Sequence, residues 1–118
     1  MYHRSLYSIV TETGQAVLTL TREMQDEAEL FASSLTLRAV EAQLLIMAHT
    51  LGNVTPLLHQ KLMQVDWDGW AALHTKLRQG VQPRREEIWY AIQGLVPQTM
   101  QLLGDLKRRQ PTLFEWGL

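Results

Sequence analysis

No cysteine occurs among the 118 residues, which excludes a disulfide framework and a thiolate zinc site. No apolar run approaches the roughly 20 residues that a membrane helix needs, so no span is expected. The N-terminus has neither a basic start leading into an apolar core nor a small-residue cleavage site, and the expectation is a cytoplasmic protein. Strand-like alternation, internal repeats and low-complexity linkers are all missing. Glycines are few, and Gly69, Gly80 and Gly94 stand alone, which leaves no glycine-rich phosphate loop and no nucleophile elbow. His3, His49, His59 and His74 have no histidine partner three or four residues along, and no Glu-x-x-His pair occurs. No metal site and no cofactor are therefore expected.

A hydrophobic content of 46% over this length suits one packed domain spanning residues 1–118. Helical periodicity runs through nearly all of it. From about Ser5 to Phe31, Leu6, Ile9, Val10, Val17, Leu20, Met24 and Phe31 keep a 3.6-residue rhythm that predicts one long amphipathic helix. Ser33, Ser34 and Thr36 offer capping oxygens to a second helix striped by Leu37, Val40, Leu44, Met47, Ala48 and Leu51. Gly52-Asn53 reads as its left-handed stop. Thr55-Pro56 opens a short third helix through Leu62, and Asp66 and Asp68 flank Trp67 at the start of a fourth. Pro83, Glu86 and Glu87 open a fifth that Lys107, Arg108 and Arg109 close, with Pro97 expected to kink or split it. The fold class is all-α, an up-and-down bundle of four to five helices.

The stretch from Val65 to Leu106 is the most informative. Trp67, Trp70, Leu73 and Leu77 mark one helix, Arg78-Gln79-Gly80-Val81-Gln82-Pro83 breaks the pattern, and Ile88, Ala91/Ile92, Leu95, Thr99, Leu102/Leu103 and Leu106 resume it. The net charge is −1, yet Lys76, Arg78, Arg84 and Arg85 gather at the break with no acid between Asp68 and Glu86. An anion would be drawn there first.

Thr36-Leu37-Arg38-Ala39-Val40, Leu44-Leu45-Ile46, Val65-Asp66-Trp67, Ile88-Trp89 and Leu95-Val96-Pro97, in that order and spacing, resemble HEPN proteins of the HepT type. These are encoded beside a minimal nucleotidyltransferase in bacterial and archaeal toxin–antitoxin pairs. The resemblance implies a helical bundle that forms a homodimer, with paired active sites in a cleft between protomers and a metal-independent RNase activity. It also implies a catalytic signature of Arg, four residues, His, one residue, Tyr. Counted from Trp67, those three slots hold His74, Gln79 and Val81, so the signature is degenerate. Cleavage of this kind needs a proton shuttle and a cation at the phosphorane, and an amide exchanges no proton near neutral pH. The family's silencing by AMP transfer to the motif tyrosine is also lost, because no hydroxyl side chain lies between Thr75 and Tyr90. Ala48 and His49 replace the glycine and acid that members often carry.

The expectation is thus a dimeric binding partner of a minimal nucleotidyltransferase. An atypical metal-independent RNase using His74 with nearby arginines is the alternative, and an orphan structural adaptor a third reading. Lys76, Arg78, Arg84 and Arg85 are candidates for contacting RNA or a partner, against a solvated loop paired with Glu86 and Glu87. His74 is as well explained by a hydrogen-bonded structural role, and Trp67, Trp70 and Trp89 by packing. Helix-turn-helix DNA binding around Thr55 to Arg78 is disfavoured by apolar residues where base-reading side chains belong. The tail 110–118, with Leu113, Phe114, Trp116 and Leu118, is apolar enough to dock on its own or a sister subunit.

Overall fold

A computed structural model describes residues 2–115, and the chain there is an all-α bundle. Helix α1 (Tyr2–Thr21) buries Leu6, Val10, Thr13 and Val17 at helical spacing, while Ile9 and Leu20 stay exposed. The expected single helix through Phe31 is in fact two. The chain turns after Thr21, and Asp26 becomes an extended N-cap (φ −150°, ψ 172°) whose carboxylate accepts the Glu29 N–H at 3.0 Å. Helix α2 (Glu27–Ala32) starts there. Because apolar residues continue across the corner, periodicity alone does not register it; the Asp26 cap does. The restart buries Leu30 instead of Phe31, which is only partly covered.

Helix α3 (Ser34–Leu51) buries the stripe Val40, Leu44, Met47, Ala48 and Leu51. Its expected hydroxyl caps do not form, and Ser33 instead hydrogen-bonds Thr36 Oγ1 at 3.0 Å. Nor is Gly52 left-handed, its φ being −68°. Helix α4 (Pro56–Lys61) has Thr55 accepting the Leu58 N–H, and α5 (Trp67–Arg78) has Asp66 accepting the Gly69 N–H at 2.9 Å. The left-handed stop falls at Gly80 (φ +74°), the one positive φ among the described residues. There the Gly80 N–H donates to the Leu77 carbonyl and the Val81 N–H to the Lys76 carbonyl, the paired bonds of a Schellman closure.

Helix α6 (Arg85–Tyr90) begins after Arg84, so Pro83 precedes the helix rather than occupying its first turn. The fifth stripe is divided as Pro97 required. A π-helical turn (Ala91–Leu95) joins α6 to α7 (Val96–Arg109), with the Val96 N–H reaching the Ala91 carbonyl. Pro97 cannot donate, and its ring would crowd the carbonyl four residues back; the wider turn accommodates both. Ile88, Ile92, Leu95, Val96, Thr99, Leu103 and Leu106 are all buried as a result. Helix α8 (Thr112–Glu115) sets Phe114 in the core, edge-on to Tyr7 at 5.4 Å, so this part of the apolar tail docks on its own subunit. Trp116 and Leu118 lie outside the described residues.

Helix α1 packs chiefly on α3, and α3 on α5; α7 and α8 close against α1, and α2 bridges α3 and α6. The buried side chains form one cluster. Trp70 belongs to it, and its indole N–H donates to Thr99 Oγ1 at 2.9 Å, tying α5 to α7. Among the described residues, no helix is long and apolar enough to cross a membrane.

Candidate functional site

The joint between α5 and α6 is where the sequence placed its candidates. Helix α5 ends in the Gly80 closure, and α6 is held in place by Glu87, which accepts the Arg84 backbone N–H at 3.2 Å. The same carboxylate takes Lys76 Nζ on both oxygens at 2.6 Å and Arg84 Nε at 3.1 Å. It is therefore the clasp between the two helices. The Lys76 ammonium and then the Arg84 bonds draw the Glu87 carboxyl down to about 2, against the opposing effect of partial burial.

This clasp changes the meaning of the four clustered cations. Lys76 and Arg84 are neutralised within the chain, and Arg84 also comes within 3.8 Å of Glu86. Arg85 points elsewhere, with its guanidinium 5.3 Å from the Phe31 ring centre. Arg78 makes neither an ion pair nor a ring contact among the described residues. Of the four positive charges gathered in the sequence, two lack a carboxylate partner among the described residues, Arg85 beside the Phe31 ring and Arg78.

His74, Gln79 and Val81 are not brought together around one point. Gln79 and Val81 are exposed on the joint, whereas His74 is half-buried on α5 against His49 of α3, ring centres 5.6 Å apart. Burial, then the His49 charge and then Arg78, holds the His74 imidazole below its ordinary pKa. Val81 instead lines a groove of about 280 Å³ with Leu77, Gly80, Arg38, Ala42 and Leu45. Its polar wall is a bond from Gln82 Nε2 to Glu41 Oε2 at 2.8 Å.

The tryptophans are mostly structural. Trp67 donates from Nε1 to the Leu62 carbonyl and stacks on His59 at 4.4 Å, while Trp89 lies partly covered against the core. Tyr90, half exposed, donates to the free oxygen of the Asp66 cap at 3.0 Å, and that bond, with some burial, raises its pKa.

The sequence reading did not single out His49, Glu41 or Gln82 as site residues. Their signal was faint. Arg38, Ala42, Leu45 and His49 recur at three- and four-residue steps on the side of α3 away from its buried stripe, a second face that becomes visible only once the first has been placed. No family model matches this chain, and neither a curated protein nor a solved structure does.

Proposed function

We propose that the chain is a HepT-like HEPN protein that binds rather than cleaves: a homodimer partnering a minimal nucleotidyltransferase in the cytoplasm. One observation carries this reading. The joint where the resemblance expects a proton shuttle offers an amide, an aliphatic side chain and a second amide bonded to Glu41, around a groove lined largely by aliphatic groups. None of these exchanges a proton near neutral pH, so the groove has the chemistry of a contact surface. Apolar side chains left exposed on the elements that form it, Leu35 and Ile46 on α3 and Val81 on the joint, give a protein partner something to cover.

The RNase alternative would need His74 to work with a neighbouring arginine. Arg78 is near enough to depress the His74 pKa, but Arg84 is engaged by Glu87. The test combines two measurements. The chain, co-expressed with the nucleotidyltransferase encoded beside it, is expected to co-purify as a dimer-containing complex, and alone it is expected to leave RNA intact in EDTA. Metal-free cleavage abolished by His74→Ala would overturn the binding reading, as would a monomer that leaves the nucleotidyltransferase unbound.

A further inference from the structure

We infer that the cavity between α1, α7 and α8 binds a phosphate monoester with neighbouring hydroxyl groups, the chemistry shared by a sugar phosphate and the ribose phosphate of a nucleotide. The site shares no residue with the groove at the joint, so it stands whether or not the chain partners a nucleotidyltransferase. The cavity encloses about 590 Å³, within the roughly 300–1,000 Å³ of small-ligand sites. Helix α1 lines it with Arg4, Ser8 and Thr11, at steps of four and three residues and so on one face, with Glu12 beside them. Lys107 enters from α7 with its Nζ 4.2 Å from the centre of the Tyr7 ring, which Phe114 braces from α8.

The polar groups around this cavity are not spent inside the protein. Among the described residues Arg4, Lys107 and Glu12 make no ion pair, whereas Arg108, next along α7, is taken by Asp105. The hydroxyls follow the same division. Thr13, Thr21, Thr50 and Thr75 each donate to the carbonyl four residues back, the last two even in exposed surroundings. Ser8 and Thr11, on the cavity wall, make no such bond among the described residues. Two cations and two hydroxyls are therefore left with donors to give. A phosphate monoester brings about −1.5 to −2 of charge and three acceptor oxygens. The planar fork of Arg4 takes two of those oxygens side by side, Lys107 adds a point charge, and Ser8 and Thr11 donate to the third. Glu12 sets what else the ligand bears, because a carboxylate repels a bare oxyanion and accepts from hydroxyls, as an acid does from the ribose of a bound nucleotide. Two cations against one acid leave the lining positive by a single charge, which suits an anion carrying hydroxyls over a neutral sugar.

The experiment titrates ribose 5-phosphate, AMP and inorganic phosphate into the full chain by calorimetry, with the Tm followed in parallel. Ribose 5-phosphate is expected to bind once per chain, about tenfold or more tighter than inorganic phosphate. AMP binding at least as tightly identifies a nucleotide as the source, and weaker AMP a free sugar phosphate; either supports the site. Arg4→Gln and Lys107→Gln should each weaken ribose 5-phosphate roughly ten- to a hundredfold, the loss of one charged hydrogen-bonded contact. Glu12→Gln separates the two halves of the ligand, weakening ribose 5-phosphate while inorganic phosphate holds or gains. Arg22→Gln removes an exposed arginine just past the other end of α1 and should change nothing. All four side chains are exposed, so the variants retain the fold, and circular dichroism checks this. No binding of ribose 5-phosphate to the folded chain at millimolar concentration, or binding that Arg4→Gln and Lys107→Gln leave at full strength, overturns the site. Inorganic phosphate binding as tightly as ribose 5-phosphate overturns it as well, because Glu12 would then have no hydroxyls to read.

Discussion

The bond between Trp70 and Thr99 offers the sharpest test of how the joint is positioned. Both residues are 2% exposed, and the indole N–H has Thr99 Oγ1 as its acceptor at 2.9 Å. Thr99→Val keeps the shape and removes the acceptor, leaving a buried donor unpaired at a cost of about 1–3 kcal/mol. Trp70→Phe removes the donor and about 40 Å³ of side chain; at about 24 cal/mol per Å³ the cavity costs about 1 kcal/mol, and lost transfer energy and the bond bring the total to roughly 2–3 kcal/mol. The double variant no longer has an unpaired N–H, so it should be little worse than Trp70→Phe alone, with a coupling of about 1–2 kcal/mol. Urea denaturation followed by circular dichroism at 222 nm measures all four proteins, and unchanged m values would confine the effects to stability. Strict additivity, within about 0.3 kcal/mol, would refute the reasoning, because it would mean the two groups do not depend on each other.

Three further outcomes are expected. The Glu87 carboxyl lies near 2 against an ordinary 4.5, so the clasp's contribution is complete above about 4.5 and is lost as pH falls through that value toward 2. Since Lys76 is more than a third exposed, the contribution is discounted to about 1 kcal/mol, and thermal melts of Glu87→Gln should lose the wild-type dependence between pH 5 and 2.5. Gly80→Ala meets no atom within 4 Å but keeps φ at +74°, so it should cost only about 1 kcal/mol in urea; a loss above about 3 kcal/mol would reveal a contact that this geometry lacks. Any single-stranded RNA held at the joint should show a shallow salt dependence, no steeper than about −1.4 in log K against log salt for Arg78 and Arg85, rather than about −3 for four cations. Fluorescence anisotropy across a salt series distinguishes the two.

The long elements were legible because burial and spacing agreed. Val40 to Leu51 on α3 and Ile88 to Leu106 across α6 and α7 are buried where the 3.6-residue rhythm put them. Pro97 divided its stripe, since no helix supplies the missing N–H. What sequence pattern missed were corners and pairings. The turn after Thr21 hid beneath a continuous apolar rhythm, and the left-handed stop went to Gly52 when, among the described residues, Gly80 is the one that adopts it. At Gly52 the last turn closes with an ordinary Ala48 bond, so the chain needs no positive φ there. Charge left two readings open, a phosphate-contacting run or a loop paired with Glu86 and Glu87, and the second is what Lys76 and Arg84 form. The sequence could not choose between them, because linear distance does not disclose which acid folds back onto which cation.

That clasp also bears on what the joint can do. A catalytic loop needs an ionisable group free to change protonation and a cation free to meet the developing charge. Glu87 is fixed as a carboxylate by Lys76 and Arg84, the same two cations are occupied by it, and Gln79, Val81 and Gln82 supply no proton. Lys76, Arg84 and Glu87 thus hold α5 to α6, Arg78 stays without an acid partner among the described residues, and the groove beside them is largely aliphatic, with Arg38 and the Gln82–Glu41 bond on its polar side. His49 and His74 meet one turn and more back along α5 and against a different helix. Their contact belongs to the packing of α3 on α5, and breaking the clasp with Glu87→Gln should loosen the joint while leaving that packing intact.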